Sequence, residues 1–144
     1  MQRMLIAALV PLACLAGCAR PQRAQRQPYV TRAEDPRRDT DAARRLNARA
    51  VESIGRDDHD QAETALKDAL EADLFFGPAH NNLGLVYYET ERYYLAAWEF
   101  QYASKLMPKK SEPRNNLGMV YEAVGRSDQA ERWDEEALAI EPED

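Results

Sequence analysis

The sequence predicts an all-α fold of three stacked helix–turn–helix units, preceded by a disordered arm. The tetrapeptide NNLG occurs at residues 81–84 and again at 115–118, an offset of 34 residues. The same shift aligns alanines 62, 96 and 130, and it also aligns alanines 69, 103 and 137. Several coincident columns at one period of this size indicate stacked supersecondary units. The chain before residue 39 is instead rich in Arg, Gln and Pro, a composition typical of disorder.

Residues 1–17 are expected to form a signal peptide. Arg3 supplies a positive start, and an apolar run from Met4 to Ala16 follows, interrupted only by Pro11. A helix needs roughly 20 apolar residues to span a bilayer core, and this run is shorter. A charged start, a short apolar stretch and small residues at its end are typical of secretory signals.

The end of this signal, Leu15-Ala16-Gly17-Cys18, resembles the bacterial lipobox. The resemblance implies that Cys18 is lipidated and is the first residue of a membrane-anchored mature protein. Ala19, rather than aspartate, follows it, and in enterobacteria this pattern is similar to outer-membrane sorting. We therefore expect a bacterial envelope protein at the outer membrane, facing the periplasm. A plain secretory signal with an incidental cysteine remains the alternative.

Charge divides the mature chain into a basic tether and an acidic domain. Ala19–Arg45 holds eight arginines against four acidic residues, and Leu46–Asp144 holds ten basic residues against twenty-one acidic ones. Nucleic-acid binding requires basic residues clustered on a folded face, so that class is excluded. The tether, residues 18–38, is placed to meet anionic lipid headgroups or to act as a solvated spacer. An acidic domain suits a neutral or basic protein partner.

The helical domain is expected over residues 39–144, with units at about 43–76, 77–110 and 111–144. Its first helix should begin near Asp39 or Thr40, both good N-cap residues. Gly84 and Gly118 should allow the two helices of a unit to approach closely. Pro108 should end the central unit, because proline cannot continue a helix.

These columns resemble the tetratricopeptide repeat (TPR), a 34-residue helix–turn–helix unit. The first unit is degenerate, with Arg49, Ser53 and Leu74 at signature positions. The resemblance implies a right-handed superhelix whose first helices line a concave groove. The signature is carried by Leu83, Gly84, Tyr87, Tyr93, Ala96, Phe100, Ala103, Leu106 and Pro108, and by Leu117, Gly118, Tyr121, Gly125, Ala130, Ala137, Ile140 and Pro142.

Catalytic and metal-binding patterns are weak. The run Asp57-Asp58-His59-Asp60 falls in the turn of the first unit, where acidic residues cap the next helix. His80 has no obvious acid or nucleophile partner in the sequence. No glycine-rich phosphate loop or nucleophile elbow is present. The sequence predicts a protein that is not an enzyme and that takes no cofactor, metal or small-molecule substrate.

The resemblance places the exposed positions of the first helices in the groove. Asparagine offers one acceptor and two donors without charge, so it suits an extended peptide backbone. Rows of groove asparagines are similar to the asparagine ladder of some TPR proteins, although asparagine is also simply tolerated there. The expected binding residues are Asn47, Asn81, Asn82, Leu85, Tyr88, Asn115, Asn116, Met119 and Glu122, with Arg44, Val51, Ile54, Glu89 and Glu112 at further exposed positions.

A carboxylate clamp is not expected, because Glu112 and Asn116 stand where lysine and arginine would be required. The sequence therefore predicts a protein-interaction module, similar to the small TPR lipoproteins of pilus and secretion assembly. The alternative is an envelope scaffold that self-associates through its convex face or C-terminal edge. At that edge Asp134 replaces the apolar residue of its column, which predicts a helix adapted to water, while Trp133, Leu138 and Ile140 could form a docking surface.

Overall fold

The computed structural model describes residues 38–140. Within that range the chain forms six α-helices and no strand, and none of the helices is long and apolar enough to cross a membrane. The predicted signal peptide, the lipidation at Cys18 and almost all of the tether lie outside the described residues. The helices are α1 Thr40–Ile54, α2 His59–Ala72, α3 Gly77–Glu89, α4 Tyr93–Leu106, α5 Glu112–Ala123 and α6 Ser127–Leu138.

The helices pair in chain order into three units, α1/α2, α3/α4 and α5/α6. Neighbouring units join where α2 packs on α3 and where α4 packs on α5. The first helices also touch each other, α1 with α3 and α3 with α5, whereas the second helices of the described chain do not. The stack therefore curves with α1, α3 and α5 on its inner side.

The turn inside each unit has the same geometry three times. One residue adopts a left-handed conformation, at Asp57 (φ 57°), Glu91 (φ 59°) and Gly125 (φ 73°). The next backbone N–H then closes the end of the helix by donating to a carbonyl five residues earlier. These bonds run from Asp58 to Ser53, from Arg92 to Tyr87 and from Arg126 to Tyr121, at 2.7–3.0 Å. Only glycine adopts this conformation without steric cost.

The predicted close approach of helices at Gly84 and Gly118, the two glycines 34 residues apart, is confirmed. A Cβ at Gly84 would lie 2.6–3.0 Å from three ring carbons of Phe100, which is fully buried. A Cβ at Gly118 would instead meet the carboxylate of Asp134, which is exposed. Helix α6 buries only Ala130 and Ala137. The prediction that the last helix faces water is confirmed.

The start of α1 is held by two aspartates. Asp39 caps the helix, as predicted, by accepting a bond from the Ala42 N–H at 2.8 Å. Asp73 is buried after α2 and accepts from Thr40 Oγ1 at 2.6 Å and from Arg38 Nε at 3.0 Å. Burial alone would raise the pKa of Asp73, but these bonds and one from the Phe75 N–H lower it below its ordinary value.

Candidate protein-binding groove

The predicted groove asparagines bond to one another across the unit boundaries. Asn82 Nδ2 donates to Asn47 Oδ1 at 2.8 Å, and Asn116 Nδ2 donates to Asn81 Oδ1 at 3.0 Å. Asn81 Nδ2 also donates to Glu112 Oε1 at 2.9 Å. We call the Asn47–Asn82 and Asn81–Asn116 bonds the amide ladder. It ties each first helix to the first helix of the next unit.

The amide ladder explains why asparagines occur in pairs. Each bond joins the first asparagine column of one unit to the second column of the next, so the partners are 35 residues apart. The first described unit has no unit before it, and Ala48 occupies its donor position. The last described unit has none after it, and Asn115, in its acceptor position, is exposed. One pair of asparagines per internal boundary is the expected pattern.

Two sequence-based interpretations are corrected by this arrangement. Asn81 was expected on the exposed groove surface, but its side chain is 4% exposed and both ends of its amide are bonded. The paired asparagines are also part of the packing between units, not free of it. Asn82 and Asn116 are half-buried, and within the described chain each uses only its amide nitrogen. Their Oδ1 atoms therefore remain available as acceptors.

An apolar stripe runs beside the amide ladder. It consists of Val51, Leu85 and Met119, which occupy one column of the three first helices. Met119 is 42% exposed and Val51 is also exposed, while Leu85 packs partly against the core. A bound segment would cover apolar area here, and methionine adapts to different partner shapes.

A pocket of about 400 Å³ opens at the C-terminal ends of α3 and α5. We call it the groove pocket; it is lined by Tyr88, Met119, Glu122, Ala123 and Ser127. Three of the predicted binding residues thus come together in one cavity. The ring of Tyr88 is held by an edge-on contact with Tyr93, at 5.7 Å between centroids.

The remaining groove positions are charged or engaged. Arg44 pairs with Asp41 on the surface of α1, and Ile54 packs partly against the core. Glu89 lies 3.5 Å from His59 Nδ1. Glu122 is exposed and has no ion-pair partner among the described residues. The free negative charge in the groove pocket is therefore that of Glu122.

The acidic turn of the first unit caps a helix, as expected. Asp58 accepts a bond from the Gln61 N–H at 3.1 Å and begins α2. The described residues contain no group of three or more His, Cys, Asp or Glu side chains placed to hold a metal ion.

His80 has an acid partner, contrary to the expectation from sequence. Its Nδ1 lies 2.7 Å from Glu99 Oε2 and its Nε2 lies 2.9 Å from the carbonyl of Leu74. The ring also packs against Tyr102, at 4.6 Å between centroids. Glu99 comes from α4, so helix packing and not sequence proximity creates the pair. The contacts of His80 join α3 to α4 and to the loop between α2 and α3.

A second charged cluster joins the first two units away from the groove. Glu63 pairs with Arg92 and with Lys67, each at 2.7 Å, and Arg92 stacks over the Tyr87 ring. The bond from Arg92 is the main cause of the lowered pKa of Glu63. Burial raises the pKa of Tyr87, and the neighbouring Glu63 charge adds to the effect. One carboxylate stands between two cations, so the cluster carries a net positive charge.

The sequence interpretation missed the exposed aromatic residues of α4. Tyr94 and Trp98 are 81% and 61% exposed and stand one helical turn apart on the outer surface. With Tyr93, Tyr121 and Val124 they line a cavity of about 410 Å³ between α4 and α5. The i, i+4 spacing of two large aromatics was the available signal, but the same spacing is typical of core residues.

Known proteins share this architecture. Residues 111–144 match the family model described as tetratricopeptide repeat. No curated protein matches the chain. Among solved structures, the first TPR of Spaghetti (RPAP3) bound to an HSP90 peptide has a TM-score of 0.71 and 17% identity, covering 76% of this chain and 86% of that one.

Two further solved structures share the fold, although smaller parts of those chains are covered. MamA has a TM-score of 0.65 and 24% identity, covering 69% of this chain and 58% of that one. A mutant O-GlcNAc transferase of Thermobaculum terrenum has a TM-score of 0.67 and 27% identity, covering 72% of this chain but only 20% of the transferase. The described chain therefore has the TPR-type superhelical fold, built from three units.

Proposed function

We propose that this TPR protein is a membrane-anchored bacterial lipoprotein that binds a peptide or protein segment in its concave groove. The observation that carries the proposal is the amide ladder. Its internal bonds hold Asn82 and Asn116 in fixed positions and leave their Oδ1 atoms as acceptors. Acceptors that are already ordered lose little entropy when a partner binds.

The groove offers two further kinds of contact beside these acceptors. The backbone N–H groups of an extended segment can donate to Asn82 and Asn116. Alternate side chains of that segment can then cover the apolar stripe, where Met119 is well exposed. This combination suits sequence-tolerant recognition, in which the backbone contributes polar bonds and apolar side chains contribute buried area.

The similar structures support a protein partner and also suggest a difference in charge. The Spaghetti domain is described as bound to a peptide ending in Glu-Glu-Val-Asp, an acidic end. Here Glu112 and Glu122 stand on the groove helix α5, and the domain has an acidic excess. A neutral or basic segment is therefore the better electrostatic match.

Groove binding is tested with a random-peptide display library selected on the immobilised full chain. Met119→Asp should abolish the enriched peptides, because it places a charge on an exposed position of the apolar stripe. Leu138→Asp is the matched control, since Leu138 is 85% exposed on α6, outside the groove. Equal enrichment on both variants would reject the groove as the binding surface.

The anchoring part of the proposal is supported by the lipobox-like residues at Cys18. Cys18→Ser should move the protein from the membrane fraction to the soluble fraction of a bacterial envelope preparation. Persistence of the variant in the membrane fraction would reject lipidation at this residue. A role in assembling a pilus or secretion complex is the context we propose for the captured partner.

A self-associating envelope scaffold is the second candidate. It is favoured by the exposed aromatics Tyr94 and Trp98 on the convex face and by Leu138 at the C-terminal edge. Light scattering coupled to size exclusion distinguishes the two functions. A concentration-dependent dimer that Trp98→Ser removes would favour the scaffold, and a monomer at all concentrations would exclude it.

A further inference from the structure

Two small residues line the groove pocket where the preceding unit has two large ones. The positions equivalent to Ala123 and Ser127 in that unit are Glu89, which lies 3.5 Å from His59 Nδ1, and Tyr93, which packs edge-on against Tyr88. Alanine and serine leave space open against the exposed side of Tyr88. The cavity lies at the boundary between the second and third units.

The surroundings of the groove pocket favour a positive charge. Glu122 lines it, is exposed and has no ion-pair partner in the described chain. The pocket also lies at the C-terminal end of α3, which carries partial negative charge and has no basic residue in its last turn. Glu89 lies beside His59 of α2, with 3.5 Å between its Oε2 and His59 Nδ1, and does not line the groove pocket.

The apolar walls suit the shape of a basic side chain. Lysine and arginine have long methylene stems that pack on apolar surface while the charge remains at the tip. The Tyr88 ring can attract that charge through its electron-rich face, and the Met119 side chain covers the stem. An acidic side chain would gain neither contact and would be repelled by Glu122.

We propose that the groove pocket binds a lysine or arginine side chain of the partner segment. This inference rests on the proposed function and names the chemistry that the groove selects. Six residues of helix separate Asn116 from Glu122, about 9 Å along the axis. An extended chain covers that distance in about three residues. The basic side chain should therefore lie about three residues from the backbone group bound by Asn116.

The test uses random-peptide display on the full chain and on three pocket variants. The wild type should enrich peptides with lysine or arginine at one position. Glu122→Gln removes the charge and should weaken that preference, and Ser127→Tyr fills the space and should remove it. Glu122→Lys should enrich an acidic residue at the same position. Glu131→Lys, an equal charge change on the exposed surface of α6, is the matched control and should leave the preference intact.

Affinity measurements complete the test. An enriched peptide and its alanine analogue at the basic position should differ about fivefold in Kd on the wild type and by less on Glu122→Gln, where only the Tyr88 and Met119 contacts remain. Enriched peptides that lack a basic position, or a Kd difference on Glu122→Gln equal to that on the wild type, would overturn the pocket assignment and leave groove binding intact. Failure to enrich any peptide would overturn both proposals. Unchanged circular dichroism spectra of the variants exclude loss of folding.

Discussion

The amide ladder makes a quantitative prediction about stability. Asn81→Ala removes two bonds at once, one accepted from Asn116 at 3.0 Å and one donated to Glu112 at 2.9 Å. Asn115→Ala is the internal comparison, because Asn115 belongs to the same repeat column but is exposed. The two substitutions remove the same atoms at the same repeat position, so they differ in the bonds that are lost and in the burial of the site.

The magnitude follows from the burial of Asn81. A hydrogen bond contributes about 0.5–1.5 kcal/mol net, and losing one partner of a buried pair costs about 1–3 kcal/mol. The bond to Glu112 contributes at the low end, because that carboxylate is exposed. The higher helix propensity of alanine offsets roughly 0.5 kcal/mol of this loss in the free energy of unfolding. We expect a net loss of about 2 kcal/mol for Asn81→Ala and a change within about 0.5 kcal/mol for Asn115→Ala.

Urea unfolding followed by circular dichroism measures both values. The double variant Asn81→Ala/Asn116→Ala should lose less stability than the sum of the single variants, by about 1 kcal/mol, because the two side chains share one bond. If the loss in the double variant equalled the sum of the losses in the two single variants, Asn81 and Asn116 would not interact.

Three further predictions concern packing, charge and the turns. Gly84→Ala should lower the free energy of unfolding by about 1–2 kcal/mol in urea unfolding, because its Cβ would overlap the buried Phe100 ring and overpacking outweighs helix propensity. Asp73→Asn should flatten the loss of thermal stability on acidification. The folded-state pKa of Asp73 is lowered, so its carboxylate stabilises the fold above the ordinary pKa of 3.8, and this stabilisation is lost as pH falls through the folded-state pKa. Glu91→Gly should raise the melting temperature, since it removes a left-handed conformation that costs a side chain about 1 kcal/mol.

Matched variants separate these causes from general damage. Gly118→Ala should be neutral or stabilising, because the exposed Asp134 side chain can move away, whereas Phe100 cannot. Equal costs at both glycines would contradict the packing explanation. For the charge prediction, Asp68→Asn on the exposed face of α2 should leave the acid profile unchanged. A destabilised Glu91→Gly variant would mean that the turn is not strained.

The architecture was predictable from sequence because residues of the same type recur every 34 positions along the chain. Alanine columns, Gly84 and Pro108 report local requirements for close packing and helix termination, so they identify the units without tertiary information. The start of α1 at Thr40 follows from the capping preference of Asp39 in the same way. These features depend on neighbouring residues and are therefore visible in the sequence.

The site was less predictable because its contacts join different units. The ladder bonds connect neighbouring columns at an offset of 35 residues, while alignment at the repeat period compares residues only within a column. The pairing of Asn82 with Asn47, and the presence of Ala48 in the first unit, were the available signals. His80 and Glu99 meet for the same reason, through the packing of α4 on α3. The asparagines recur with the repeat, but alignment of the units does not show which residues of different columns meet.

The amide ladder also couples binding to stability. A segment that bonds to Asn82 and Asn116 touches both boundaries that the ladder stabilises, so binding requires the stacked arrangement. A ligand present at 100 times its Kd stabilises the folded state by about 2.7 kcal/mol, which is close to the loss expected for Asn81→Ala. An enriched peptide at 100 times its Kd for Asn81→Ala should therefore restore the unfolding midpoint of that variant, in which Asn116 has lost its bond to Asn81. A peptide that binds outside the groove would restore Asn81→Ala as well, but it would also stabilise Met119→Asp, which a groove ligand cannot do.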